Sequence, residues 1–128
     1  MILRAKQEGN VLIMALEGYL DFEGTLQFKQ TCTDLLKSRS TDRIVLNMEK
    51  LKFVGSSGIG QFIQILKDFN KKDKIKTKFC KLSIEFERMF RSYETARNPF
   101  QVFTDEKEAI ISFDLPPTKK SRRKPLDN

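Results

Sequence analysis

The run Val11-Leu12-Ile13-Met14-Ala15-Leu16 contains no polar residue. In a strand, successive side chains point to opposite faces, so six apolar residues in a row need cover on both sides. That requirement excludes a sheet with one wet face and asks for helices packed above and below it. The sequence supplies them. Beyond the polar segment Ser38-Arg39-Ser40-Thr41-Asp42, the stretch Arg43 to Met48 is a second central strand, with Ile44-Val45-Leu46 at its heart. Amphipathic helical stretches flank both strands.

Ile2 to Gln7 alternates loosely, as a short edge strand does, and Gly9-Asn10 turns the chain. Gly18-Tyr19-Leu20-Asp21 leaves the first central strand, and Asp21 opens a helix. In it Phe28, Cys32, Leu35 and Leu36 fall at i, i+4, i+7 and i+8. Phe62, Ile65, Leu66 and Phe69 form the stripe of a second helix, Ile59–Phe69, which closes in the polar connector Asn70 to Lys74. Ile75, Thr77 and Phe79 alternate with Lys76 and Lys78, predicting a strand nearer an edge. The lysines from Lys71 to Lys78 then lie on a solvated face. Leu82, Phe86, Met89, Phe90 and Tyr93 mark a third helix with Ser83 as cap. Pro99 precedes a short strand, Phe100 to Phe103. Asp105 with Glu108 resembles a capping box for a last helix through Ala109, Ile110 and Phe113, stopped at Pro116-Pro117. The order β-β-α-β-α-β-α-β-α predicts an α/β domain over residues 1–115, with most of the eleven Phe residues on its core faces. Residues 116–128 have no hydrophobic face and read as a disordered basic tail.

Histidine is absent, which removes Ser–His and Cys–His nucleophiles and the usual zinc ligands. Gly55-Ser56-Ser57-Gly58 fails the nucleophile-elbow spacing, because Val54 and Ile59 stand where glycines are needed. No phosphate-binding loop or dinucleotide fingerprint occurs. No metal site, catalytic acid or cofactor is therefore expected. Cys32 and Cys80 have no paired spacing and read as reduced, half-buried thiols. The net charge is +7, but Lys119, Lys120, Arg122, Arg123 and Lys124 against Asp127 leave +4 of it in the tail. The body is thus only mildly basic, and no specific nucleic acid is expected. The tail suits a docking arm, a solubilising segment, or weak contact with an anionic partner. No apolar run reaches membrane-spanning length and the first residues make no signal peptide, so a cytoplasmic protein without membrane insertion is expected.

Two hydroxyls bracketed by glycines stand between the second central strand and the second helix, in Leu51-Lys52-Phe53-Val54-Gly55-Ser56-Ser57-Gly58-Ile59-Gly60. At such a junction, backbone N–H groups lack partners and the helix dipole is positive. Ser56 or Ser57 can cap the helix there, or one of them can receive a phosphate. Asp21 has a similar double reading, as a helix N-cap or as a contact for a partner.

Element order and loop together resemble the STAS domains, the family of anti-sigma-factor antagonists. Gly18-Tyr19-Leu20-Asp21 is close to the family's Gly-x-Leu-Asp. Phe53-Val54-Gly55-Ser56-Ser57-Gly58-Ile59-Gly60 is close to Phe-Met-Asp-Ser-Ser-Gly-Leu-Gly. Phe103-Thr104-Asp105-Glu106-Lys107-Glu108-Ala109 fits the final strand-to-helix passage. The resemblance covers roughly residues 2–114 and implies a single-domain STAS-like fold with a mixed sheet of about five strands and about four helices. It further implies a non-enzymatic binding module whose partner is a serine-kinase anti-sigma factor. That kinase would phosphorylate Ser57 (Ser56 is the poorer match), and contact would run through Asp21, Phe22, Glu23, Gly55, Ser56, Ser57 and Gly58. The alternatives are a STAS subunit of a membrane lipid transporter or a scaffold that is never phosphorylated. Two positions depart from the family pattern. Gly55 stands for the Asp before the serines and Asn47 for the Asp ending the preceding strand, so two carboxylates are expected to be missing near the loop.

Overall fold

A computed structural model describes residues 2–38, 42–53, 59–71, 75–93 and 100–115. The elements follow the expected order: β1 Ile2–Glu8, β2 Val11–Leu20, α1 Phe22–Ser38, β3 Arg43–Phe53, α2 Ile59–Lys71, β4 Lys76–Cys80, α3 Ile84–Tyr93, β5 Val102–Phe103 and α4 Glu106–Ser112. The strands lie side by side in sequence order in one five-stranded mixed sheet. β1 is antiparallel to β2, and the other neighbours are parallel. Gly9 turns the first hairpin with φ +58, a conformation that only glycine adopts freely.

The apolar run is covered on both faces, as its composition demands. Leu12, Met14 and Leu16 join Ile44, Leu46 and Phe79 in the larger core, under α1, α2 and α3. Val11 and Ile13 face the other way, with Val45 and Cys80, under Ala109 of α4. A chain of phenylalanine rings knits the larger core. Phe28 meets Phe62 at 5.0 Å between ring centres, Phe62 meets Phe90 at 6.4 Å, and Phe90 meets Phe79 and Phe100 at 5.1 and 5.0 Å. Burying each such ring contributes about 2–3 kcal/mol.

Several expectations need correction. β2 runs on through Gly18 to Leu20, and β3 continues past Met48 to Phe53. The register steps from Ala15↔Asn47 to Glu17↔Lys50, a β-bulge that lets the two strands stay paired to their ends. Asn47 is therefore mid-strand, not at the strand's end. β5 has two residues, shorter than the expected four. β4 lies next to the edge strand β5, as expected, but α4 lies over Lys78, which is buried while Lys76 stays exposed. Both thiols are fully buried, not half-buried. Phe22 is an exception to the phenylalanine core, being exposed. Lys72, Lys74, Pro99, the loop 54–58 and the tail 116–128 lie outside the described residues, as do the side chains of Leu35, Leu36, Phe53 and Lys71.

Candidate functional site

Asp21 is fixed by the helix it opens. Its Oδ1 accepts the Gly24 N–H at 2.7 Å, which satisfies one of the unpaired donors of the first turn. Its carbonyl accepts both the N–H and the hydroxyl of Thr25, at 2.9 and 2.7 Å, and this satisfies the buried Thr25 side chain. Asp21 itself stays exposed, as do Phe22 and Glu23 beside it. The capping reading thus holds, and the residue remains reachable by a partner.

Around Asp21 the surface is unusually apolar. Tyr19, Phe22 and Leu26 are 57%, 51% and 49% exposed. Of these, only Phe22 is among the contacts that the family resemblance implies, although it lies one residue beyond the Gly-x-Leu-Asp motif. Tyr19 and Leu26 carry no spacing signal of their own, because an exposed apolar residue reads in sequence as a core one.

The Asp21 turn and the hydroxyl loop are rooted side by side. Leu20, the residue before Asp21, pairs with Phe53, the residue at which the described part of β3 ends. The chain resumes at Ile59, buried at the start of α2. Gly55, Ser56, Ser57 and Gly58 belong to the segment between these two points, outside the described residues. α2 has no acidic residue in its first turn, whereas α1, α3 and α4 carry Glu23, Glu85 with Glu87, and Glu106 with Glu108 there. The positive end of its dipole therefore lacks a carboxylate of its own helix.

Asn47 is bonded to α4 and to its own strand. Its Nδ2 donates to Glu106 Oε2 at 2.7 Å, and its Oδ1 accepts the Glu49 N–H at 3.0 Å. The amide at this position thus serves α4, and the loop beside which an acid is expected to be missing lies outside the described residues.

α4 covers the least predictable part of the sheet. Asp105 caps it through the Glu108 N–H at 2.9 Å, while Glu108 Oε1 accepts from the Thr104 N–H, one residue earlier than a capping box has it. Beneath it Lys78 is 8% exposed. Its Nζ donates to Ser112 Oγ at 2.6 Å and lies 4.3 Å from the ring centre of Phe113 and 5.5 Å from that of Phe103. Arg43 sits against the same Phe113 ring, 5.6 Å away, and is paired with Asp114 at 3.2 Å. Among the described residues no carboxylate pairs with Lys78. Burial, reinforced by the positive Arg43 and Lys76, holds its pKa below the ordinary lysine value. Burial likewise pushes Cys32 and Cys80 up to about 12, so both thiols stay protonated and unreactive while buried.

Among the described residues, no group of three or more His, Cys, Asp or Glu side chains could hold a metal ion, and no helix is long and apolar enough to cross a membrane.

Comparison with known proteins places this geometry. No curated protein matches the sequence. The anti-sigma factor antagonist SpoIIAA, in its unphosphorylated form, superposes with a TM-score of 0.65 at 19% identity, over 88% of this chain and 98% of that one. The phosphorylated Bacillus form gives 0.64 at 19%, over 88% and 99%. An anti-sigma factor antagonist from Mycobacterium paratuberculosis gives 0.72 at 13%, over 89% and 94%. The murine anion transporter Slc26a9 gives 0.64 at 16%, over 84% of this chain but 18% of that one. At these identities the likeness is one of fold. The family model described as STAS domain matches residues 3–109, and the chain belongs to that family.

Proposed function

We propose that this chain is a regulatory binding module of the anti-sigma-factor-antagonist kind, switched by phosphorylation of Ser57 by a partner kinase. The observation that carries the reading is the Leu20–Phe53 pairing. It roots the Ser56-Ser57 loop beside Asp21 and its exposed apolar neighbours, and directly before the acid-free first turn of α2. A phosphate brings about −1.5 to −2 charges and strong acceptor oxygens. The α2 terminus offers the opposite partial charge, so the domain tolerates that load. A partner seated on Tyr19, Phe22 and Leu26 would have to bury the same charge without a counter-ion, at a cost of several kcal/mol. Likeness to SpoIIAA, solved in both phosphorylated and unphosphorylated forms, supports the same mechanism.

In this reading the chain works in the cytoplasm, takes no cofactor and catalyses nothing itself. Its partner is a serine-kinase anti-sigma factor. The test is a pull-down from native lysate, with mass spectrometry of the captured partner and of the Ser56-Ser57 peptide. Capture of a serine kinase, with phosphate on Ser57 in the wild type and none after Ser57→Ala, supports the switch. A second reading, a STAS subunit seated on a membrane transporter, draws on the likeness to Slc26a9. It expects recovery with a membrane complex whatever the state of Ser57.

A further inference from the structure

α4 buries smaller apolar side chains against the sheet than α2 or α3 does. Its buried residues are Ala109 and Ser112, one a single methyl group and the other a hydroxyl. α2, by comparison, buries Ile59, Phe62, Ile63, Ile65, Leu66 and Phe69. The floor under α4 is equally unusual, since Lys78 takes up space there that an apolar side chain would fill. Ile111 and Leu115 point away from the sheet and are half-exposed. The caps of α4 are internal to its own segment: Asp105 to Glu108, Glu108 to Thr104, and the Phe113 N–H to Ile110 O. None of them ties the helix to the sheet. What does so is Asn47 to Glu106, Lys78 to Ser112, Arg43 to Asp114 and Lys6 to Glu106, together with the half-buried Ile110 and Phe113.

We propose that residues 104–115 form a lid, hinged after Phe103, that opens without unfolding the rest of the domain, and that Lys78 sets how readily it opens. Opening returns the Lys78 ammonium to water, which favours the open form. It also uncovers a strip made of Val11, Ile13, Val45 and Cys80, on the face of the sheet opposite α1, α2 and α3. The four residues beneath the lid, with Ala109 on its underside, make a cluster small enough to be exposed while the larger core stays closed. Elements with few buried apolar contacts are the ones that open sub-globally.

The chain carries its own reporters. Cys80 lies under the lid, and Cys32 lies in the larger core on α1. In the full-length protein, each thiol is retained alone, by Cys32→Ala or Cys80→Ala, and labelled with excess N-ethylmaleimide under native conditions. Cys80 should react at least tenfold faster than Cys32, with a weaker dependence on added urea. Lys78→Met, which removes the buried charge at similar length, should slow Cys80 about tenfold and leave Cys32 unchanged. Ile110→Ala, which loosens the lid from its own side, should speed Cys80 about tenfold, again without effect on Cys32. Equal rates and equal urea dependence for the two thiols would overturn the proposal. So would a shift of both thiols together in either variant, because the whole domain would then be opening at once.

Discussion

Asn47 Nδ2 donates to Glu106 Oε2 at 2.7 Å, tying the middle of the central strand to the first turn of α4. An amide is needed at this point, because a carboxylate in its place would face the carboxylate of Glu106 and offer no donor. Lys6, 3.7 Å from Glu106 Oε1 but exposed, softens that repulsion only in part. Asn47→Asp should therefore lower stability by about 1–3 kcal/mol at neutral pH, the range for a lost partner at a partly buried charged acceptor. Urea melts at pH 7 check it. An unchanged midpoint would mean that the bond contributes nothing in solution.

Much of this fold is legible from apolar patterning. Val11 to Leu16 demanded cover on both faces and has it, and Phe62, Ile65, Leu66 and Phe69 lie on the buried side of α2. Asp21, Ser83 and Asp105 cap the helices they precede, because a side-chain oxygen before an apolar stripe leaves few other uses for itself. Patterning fails where two environments write the same sequence. Lys76 and Lys78 alternate as on any wet strand face, yet the two-residue β5 and the short α4 close over Lys78. Only the tertiary cover distinguishes the pair. At the candidate site, Asp21 could be chosen from the motif and Phe22 as the residue that follows it. Tyr19 and Leu26 could not, since exposure is decided by which neighbours fail to arrive.

Asp21 combines a cap and a candidate contact, and two substitutions separate them. Asp21→Ala loses the bond to the Gly24 N–H and should cost about 1 kcal/mol. Asp21→Asn keeps an equally good capping oxygen and should stay within about 0.5 kcal/mol of wild type. Thermal melts measure both. Any loss of partner binding in Asp21→Asn then reports the charge itself, whereas equal destabilisation by the two variants would contradict the capping geometry.

Alkaline pH should separate the buried lysine from the buried thiols. Lys78 binds its proton less tightly folded than unfolded, so its burial penalty is fully present at neutral pH. The penalty is relieved as pH climbs from the depressed folded value towards the ordinary lysine value of 10.5. The thiols act in the opposite direction. Burial raises Cys32 and Cys80 from 9.0 to about 12, so the unfolded chain releases those protons first and stability falls above pH 9. Each thiol contributes a slope approaching about 1.4 kcal/mol per pH unit in that window. Between pH 7 and 10 the wild type should gain stability relative to Lys78→Met, a difference in which the thiols cancel. Replacing both cysteines by Ala should flatten the fall above pH 9. Parallel curves for wild type and Lys78→Met would show that Lys78 is not desolvated.

Deleting residues 116–128 should change the melting temperature by no more than about one or two degrees, as expected for a segment without a packing face. A loss of cooperative unfolding would show that the segment docks on the domain.

The switch makes the sharpest demand. A negative charge at the start of α2 meets a helix end with no acid in its first turn, where such a charge is worth about 0.3–1 kcal/mol in favour of the fold. Ser57→Asp should therefore fold and melt within about 1 kcal/mol of wild type. At a partner interface that covers the exposed Tyr19, Phe22 and Leu26, the same charge has to shed its water, and none of the three offers a counter-charge. Binding to the kinase identified by pull-down should fall at least tenfold, about 1.4 kcal/mol. Ser57→Ala should bind like wild type and resist phosphorylation. Calorimetric titration of the three proteins, alongside thermal melts, separates a lost interface from a lost fold. Should Ser57→Asp bind as tightly as wild type, with no phosphate found on Ser56 or Ser57, the charge has no role at the interface. The Asp21 surface would then serve a constitutive scaffold, because nothing in its apolar neighbours depends on the state of the loop.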